Sequence, residues 1–163
     1  MKAAMSKTAL AGIALALLTV ACQSLENTHS EVTLRELYAG NQCAVTGAEL
    51  RVIDGRAAAL ALTGSHRIGA MPPALKIDDS HELMLLVAAG QKPSAGYRLH
   101  LTKSDAGLHD ETLHLPVSLS TPGQDAQAAL MTSPCLLLAL QRGPYRRIVV
   151  ENLGLELELP EDF

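Results

Sequence analysis

The chain has 163 residues, a formal charge of −4 and an aromatic content of only 2%. An acidic chain repels the phosphate backbone, so nucleic acid is excluded as a partner. Trp is absent, so Leu, Val and Ala must fill the interior and few side chains remain for stacking on bases. A chain of this length fits a single domain.

The first 21 residues have the pattern of a secretory signal. Lys2 and Lys7 form a basic start, and residues 9–21 are an unbroken run of small or apolar side chains. A helix of that length spans about 20 Å, which is too short for a bilayer core of roughly 30 Å. The pattern therefore predicts a cleaved signal rather than a retained membrane anchor. The remaining chain has 11 basic and 17 acidic residues, a formal charge of −6.

The segment Leu18-Thr19-Val20-Ala21-Cys22 resembles the lipobox of bacterial lipoproteins, with Leu18 one place earlier than the family prefers. The resemblance implies cleavage before Cys22, a diacylglyceryl thioether on its sulfur and an acylated amino terminus. Two or more acyl chains give durable membrane anchoring. Gln23 follows the cysteine in place of the Asp that signals inner-membrane retention, so the family rule favours the periplasmic leaflet of the outer membrane. Residues 22–31 are then the lipidated cysteine and its tether, and residues 32–163 form the domain.

The first half of the domain shows mixed signals. Val32, Leu34 and Leu37-Tyr38 predict a short strand, with a helical turn as the alternative, and residues 50–53 predict a second strand. Asp54 is placed to cap a helix over residues 55–62. That helix is expected to stop at Gly64, and Met71-Pro72-Pro73 marks a loop.

From Glu82 onward the pattern is that of β-strands. Residues 83–87 and 135–140 are apolar runs typical of strands covered on both faces, whereas residues 97–101, 113–119 and 153–159 alternate. Residues 145–150 predict a further strand. The strands at 97–101 and 113–119 are expected to pair through the loop 103–110, with Pro116 at an edge or a bulge. The predicted fold class is mainly β: a small antiparallel β-sandwich or open barrel with one short helix.

No motif for catalysis is evident, and the chain is predicted not to be an enzyme. His81-Glu82 begins like a zinc-protease helix, but Leu85 stands where the second His is required. His109 and His114, five residues apart on one strand, would point to opposite faces. Ser94 lacks the preceding Gly of a hydrolase elbow. No metal and no cofactor are expected.

Cys43 and Cys135 are the cysteines that remain if Cys22 is lipidated. In an oxidising periplasm they can form a disulfide that closes a long loop. The alternative is a pair of buried thiols that act as small apolar residues.

The segment Ala89 to Tyr97 lies between two predicted strands. Pro93 fixes φ, and Gly90 and Gly96 permit positive φ, as a tight connection requires. This turn, together with Thr132-Ser133-Pro134 before an apolar strand, resembles the carboxy-terminal domain of the protease-complex subunit PrcB family over residues 75–150. Ser94-Ala95 departs from the family by standing where it has Thr-Gly. The resemblance implies an envelope lipoprotein that associates with and stabilises a protease.

Three functions follow from these features. The first is a noncatalytic binding module, which we would place at the turn and at the only adjacent basic pair of the mature chain. The second is a structural envelope protein in which these residues are merely structural or solvated, and the third is a carrier of small apolar ligands in a Leu-rich barrel. The candidate partner-binding residues are Gln91, Lys92, Tyr97, Tyr145, Arg146 and Arg147.

Overall fold

The computed structural model describes residues 30–63, 76–123 and 129–161. The predicted signal, Cys22 and most of the tether lie outside these residues, as do Gly64 and the loop at 71–73. One α-helix, α1, spans Gly55–Leu62, and a 3-10 turn spans Glu151–Leu153. The strands are β1 Ser30–Gly40, β2 Ala48–Val52, β3 Glu82–Ala89, β4 Arg98–Leu101, β5 Asp105–His109, β6 Thr112–His114, β7 Val117–Ser120, β8 Cys135–Gln141, β9 Arg147–Val150 and β10 Leu155–Glu158.

Eight of the strands form one sheet in the order β10-β9-β6-β5-β1-β8-β3-β2. The two end strands, β10 and β2, approach each other, so the sheet curls into a nearly closed barrel. All neighbours are antiparallel except β6 and β9, which are parallel. The predicted mainly β class, with one short helix, is confirmed.

The remaining strands, β4 and β7, form a separate two-stranded sheet that packs against the barrel. Their pairing matches the predicted pairing of the two alternating segments. Two details of that prediction are wrong. The expected loop 103–110 contains strand β5, and the expected strand 113–119 is divided into β6 and β7, which lie in different sheets. Pro116 falls at the division because it has no N–H to continue a ladder.

The central strands β3 and β8 are covered on both faces, as their apolar runs predict. Leu83, Leu85 and Val87 point into the barrel, and the alternate residues of β3 point outward to a second core. That outer core lies under α1 and includes Ala59 and Leu62. The fold thus has two hydrophobic layers that share the same sheet.

The ends of the first elements differ slightly from expectation. β1 begins at Ser30, so two residues assigned to the tether belong to the strand, and the helical alternative is excluded. Helix α1 spans the predicted residues, but Asp54 at its N-cap makes no side-chain hydrogen bond. The predicted capping by Asp54 is therefore wrong, and α1 is held by the apolar contacts of its buried face.

Cys43 and Cys135 lie at disulfide distance, with Cα atoms 6.1 Å apart and a separation of 92 positions in sequence. Both are buried in the outer core. The bond joins the loop after β1 to the first residue of β8, and this end of β8 also carries the candidate site.

Candidate functional site

The turn between β3 and β4 has the backbone predicted from its sequence. Gly90 and Gly96 have φ of +72° and +98°, a region that side chains rarely adopt. A Cβ on Gly90 would stand 2.9 Å from the backbone nitrogen of Ala48, so close packing also requires glycine there. Ala95 keeps an ordinary negative φ, since the positive values at non-glycine residues in the described chain fall at Asp110 and Glu111. The Ser94-Ala95 departure therefore introduces no backbone strain.

Residues 132–134 are hydrogen-bonded to this turn. The backbone N–H of Lys92 donates to the carbonyl of Thr132 at 2.8 Å, and the N–H of Thr132 donates back at 3.0 Å. The buried hydroxyl of Thr132 donates to the carbonyl of Ser94 at 3.0 Å. The N–H of Ala89 donates to the carbonyl of Pro134 at 3.0 Å. The two segments that carry the family resemblance thus form one hydrogen-bonded unit.

The loop that follows β1 supports this unit from behind. The N–H of Ser133 donates to the carbonyl of Asn41 at 2.9 Å, and the N–H of Cys43 donates to the carbonyl of Ser133 at 3.1 Å. The Ser133 hydroxyl donates to the carbonyl of Val45. With Cys135 bonded to Cys43 beneath it, the unit is a fixed platform rather than a free loop.

Two large apolar side chains stand exposed on this platform. Leu130 and Met131 are 55% and 56% exposed, whereas the other leucines of the described strands are buried or half-buried. In the neighbouring turn Gln91 is exposed, and Lys92 and Tyr97 are half-buried. We call the exposed parts of residues 91–98 and 129–131 the turn surface. Exposed apolar side chains next to cations and an aromatic ring are typical of a protein contact site.

Sequence reasoning missed Leu130 and Met131. The available signal was an apolar pair standing before Thr132-Ser133-Pro134, outside any segment with strand or helix periodicity. Because isolated apolar residues usually indicate a core, exposure becomes visible only when the neighbouring strands are in place.

The basic pair is occupied by carboxylates of the chain itself. Nε of Arg146 lies 3.5 Å from Oε2 of Glu111, and its Nη1 lies 3.2 Å from Oε1 of Glu161. Nη1 of Arg147 lies 3.1 Å from Oε1 of Glu156. Both guanidinium groups are about half exposed, so they remain in contact with solvent.

Tyr145 is a core residue, so its prediction as a partner contact is wrong. Only 5% of its surface is exposed, and its hydroxyl donates to the carbonyl of Gln141 at 2.7 Å. Burial raises the pKa of Tyr145 to about 12, since the charged phenolate is disfavoured inside the protein. The strand predicted over residues 145–150 begins at Arg147, so Tyr145 lies in the connection before β9.

The structure separates the two predicted groups of partner residues. The turn surface lies beside the first residue of β8, Cys135, whereas Arg146 and Arg147 follow the last, Gln141. Seven strand residues span about 20 Å. A single small contact cannot include both groups.

The prediction that His109 and His114 point to opposite faces is wrong. A tight turn at Asp110 and Glu111 places the two histidines on adjacent strands, and both line an outer cleft of about 530 Å³. Nδ1 of His114 is 2.9 Å from Glu151, and Nδ1 of His109 is 3.0 Å from Asp110. Among the described residues, no three His, Cys, Asp or Glu side chains are placed to hold a metal ion.

One Ser, His and Asp come together, but not as a catalytic triad. Nδ1 of His81 lies 2.8 Å from Oδ2 of Asp78 and 3.0 Å from Oγ of Ser80. A triad requires the serine and the carboxylate on opposite ring nitrogens, whereas here both meet the same one. Hydrogen bonds from Ser80 and His81 lower the pKa of Asp78 to about 2. The trio therefore closes the turn before β3.

The part of the chain that the structure describes contains no helix long and apolar enough to cross a membrane. The chain matches no protein-family model, no curated protein and no solved structure. The relationship to the PrcB family consequently stays a prediction, carried by the turn and the Thr132-Ser133-Pro134 segment.

Proposed function

We propose that the protein is a lipid-anchored, noncatalytic binding module of the bacterial envelope. In this proposal Cys22 holds the chain to the periplasmic leaflet of the outer membrane, and the turn surface contacts a protein partner. A protease that the module associates with or stabilises is the partner class that the family resemblance suggests.

The observation that carries the proposal is the exposure of Leu130 and Met131 on a rigid platform. Exposing two neighbouring large apolar side chains to water does not stabilise the folded chain, and such exposure is typical of a contact site. The platform beneath them is fixed by the Lys92–Thr132 hydrogen bonds and the buried Thr132 hydroxyl. Because the backbone at Lys92 and Thr132 is already fixed, less backbone entropy is lost there when a partner binds.

The packing of the barrel favours a binding module over a carrier of apolar ligands. Leu85, Leu113, Leu136 and Leu138 fill the interior, and each is fully buried. Side chains that fill a barrel of eight strands leave a packed core rather than a ligand chamber.

The test is quantitative capture from native membranes. Tagged full-length protein would be solubilised in mild detergent, and the co-purifying proteins would be compared with those of a variant carrying Leu130→Ser and Met131→Ser. The matched control carries Lys76→Ser and Lys103→Ser, two changes to serine at exposed positions outside the turn surface. We expect one envelope protein to be retained by the wild type and by the control, and lost from the variant with Leu130→Ser and Met131→Ser. Equal recovery with all three proteins would contradict the proposal.

A further inference from the structure

Charge is distributed unevenly between the two ends of the domain. In the described parts of the four segments that build the platform, residues 41–48, 90–98, 121–123 and 129–134, the charged side chains are Lys92 and Arg98, and both are basic. Neither forms an ion pair with a described residue. Asp125, between residues 123 and 129, lies outside the described residues, and Glu49, which follows residue 48, is bonded to Arg51 at 2.7 Å. Within the described residues the turn surface is thus basic and apolar, on a chain whose overall charge is −4.

The opposite end of the domain is acidic. A cleft of about 360 Å³ lies there between the β5–β6 turn and the end of β10. Asp110, Glu111 and Glu158 line it, together with the two arginines that are already paired. Ser30, where the tether joins β1, pairs with Leu108 beside this cleft. We call this region the entry end.

Strand β1 connects the two ends of the domain, and its first residue follows the tether to the proposed membrane anchor. It runs from the entry end to Gly40, which pairs with Cys135 under the turn surface, and its 11 residues span about 33 Å. The eight steps of chain from Cys22 to Ser30 reach at most about 29 Å when fully extended. With the turn surface on the anchored leaflet and the entry end directed away from it, Ser30 would stand about 33 Å from the bilayer. That distance exceeds the reach of the tether, so an anchor at Cys22 opposes this inverted orientation.

From these observations we propose that the turn surface binds an acidic protein segment that carries apolar side chains, on a partner reaching the domain from the side away from the anchored leaflet. This inference rests on the proposed function and names the chemistry of the partner. Lys92 and Arg98 pair with carboxylates of the partner, while Leu130 and Met131 contact its apolar side chains. Charge complementarity selects against basic segments, since these would be repelled.

Two other occupants are disfavoured by the same geometry. A bilayer would attract the basic, apolar turn surface, but the reach of the tether opposes insertion into the anchored leaflet. The acidic entry end of a second copy would complement the turn surface in charge. A head-to-tail contact between two copies anchored in one leaflet would require one copy to be inverted, and the reach of the tether opposes that orientation.

The test is site-specific photo-crosslinking in cells that make the full-length protein. A benzophenone amino acid replaces Met131, and a control protein carries it at Lys103, an exposed residue beyond the other end of β4. The cross-linked segment is then identified by mass spectrometry. We expect adducts at position 131, absent at position 103, that map to a segment of another envelope protein with net negative charge.

Charge reversal supplies the second measurement. Lys92→Glu with Arg98→Glu should reduce the yield of this adduct about tenfold or more, because two attractions become repulsions. Lys76→Glu with Lys103→Glu makes the same change in net charge at exposed sites elsewhere, and should leave the yield within about twofold of wild type. Higher salt should also lower the yield of the wild-type adduct.

Other outcomes of the crosslinking and capture experiments would overturn the inference alone or the inference together with the proposed function. Adducts to a neutral or basic segment, to lipid or to another copy of this chain would overturn the inference. If capture still depends on Leu130 and Met131 in that case, the proposed function survives. No adduct at position 131 above the level at position 103, together with capture unaffected by Leu130→Ser and Met131→Ser, would overturn both.

Discussion

Loss of the bond between Cys43 and Cys135 should cost a large part of the stability of the domain. The bond closes a loop of 92 positions, and the chain-entropy relation for that length gives about 4.6 kcal/mol at 25 °C. Both sulfurs lie in the outer core, so reduction leaves two buried thiols and creates no cavity. We therefore expect reduced protein to unfold with a free energy about 3–4.6 kcal/mol smaller than that of oxidised protein.

Urea denaturation of the same protein with and without reductant measures this difference. Far-ultraviolet circular dichroism is the suitable signal, because the chain has no Trp for fluorescence. With a slope of about 2 kcal/mol per molar urea, the midpoint should fall by about 1.5–2.3 M on reduction. The double variant Cys43→Ala and Cys135→Ala should not respond to reductant. Coincident curves for oxidised and reduced wild type, or two free thiols on alkylation of unreduced protein, would refute the reasoning.

Three further predictions concern single side chains. Glu111 has a φ of +59° in the β5–β6 turn, so Glu111→Gly should have a free energy of unfolding about 1 kcal/mol higher than Glu111→Ala. Both variants remove the same carboxylate, so the comparison isolates the backbone effect. Equal thermal stability of the two variants would contradict this prediction. The pKa of Asp78 is lowered from 3.8 to about 2, so its contribution to stability is complete above pH 3.8 and is lost as the pH falls through about 2. In acid denaturation the Asp78→Asn variant should therefore lose less stability than wild type across that interval. Parallel curves for the two proteins would count against the hydrogen bonds to Ser80 and His81. Burial raises the pKa of Tyr145 to about 12, so the stability of the domain should decline as the pH rises above 10. An absorbance titration of the three tyrosines should show one ionisation near pH 12. The Tyr145→Phe variant should lack that step.

Much of the fold is encoded in local patterns. The apolar runs at 83–87 and 135–140 predicted strands covered on both faces, and they form the centre of the sheet between the barrel interior and the outer core. The glycines at 90 and 96 predicted a tight connection, and both have positive φ. These signals succeed because the backbone conformation or the burial of each segment depends on its own residues.

Other features depend on contacts that a linear pattern does not contain. Asp110 and Glu111 form the β5–β6 turn with positive φ and without the glycine that such turns prefer. The carbonyl of Glu111 accepts a hydrogen bond of 2.8 Å from the N–H of Arg146, a residue far away in sequence. That turn pairs β5 with β6, so the expected loop 103–110 contains a strand and His109 and His114 line the same cleft.

The candidate site was only partly predictable for the same reason. The turn at residues 91–97 was identified from its own sequence, whereas its hydrogen bonds to Thr132, which lies in the other segment carrying the family resemblance, were not predicted. The exposure of Met131 and the pairing of Arg146 with Glu161 depend on how distant strands assemble. Neither could be obtained from residue spacing.

The most direct test of the central claim is the chemical state of Cys22 in the protein isolated from its own membranes. Intact-mass measurement should give a chain that begins at Cys22 and carries a diacylglyceryl group and a further acyl chain. A Cys22→Ser variant should move from the detergent phase to the aqueous phase. Recovery of the uncleaved precursor as the stable form, or membrane partitioning that persists in Cys22→Ser, would contradict an anchored binding module.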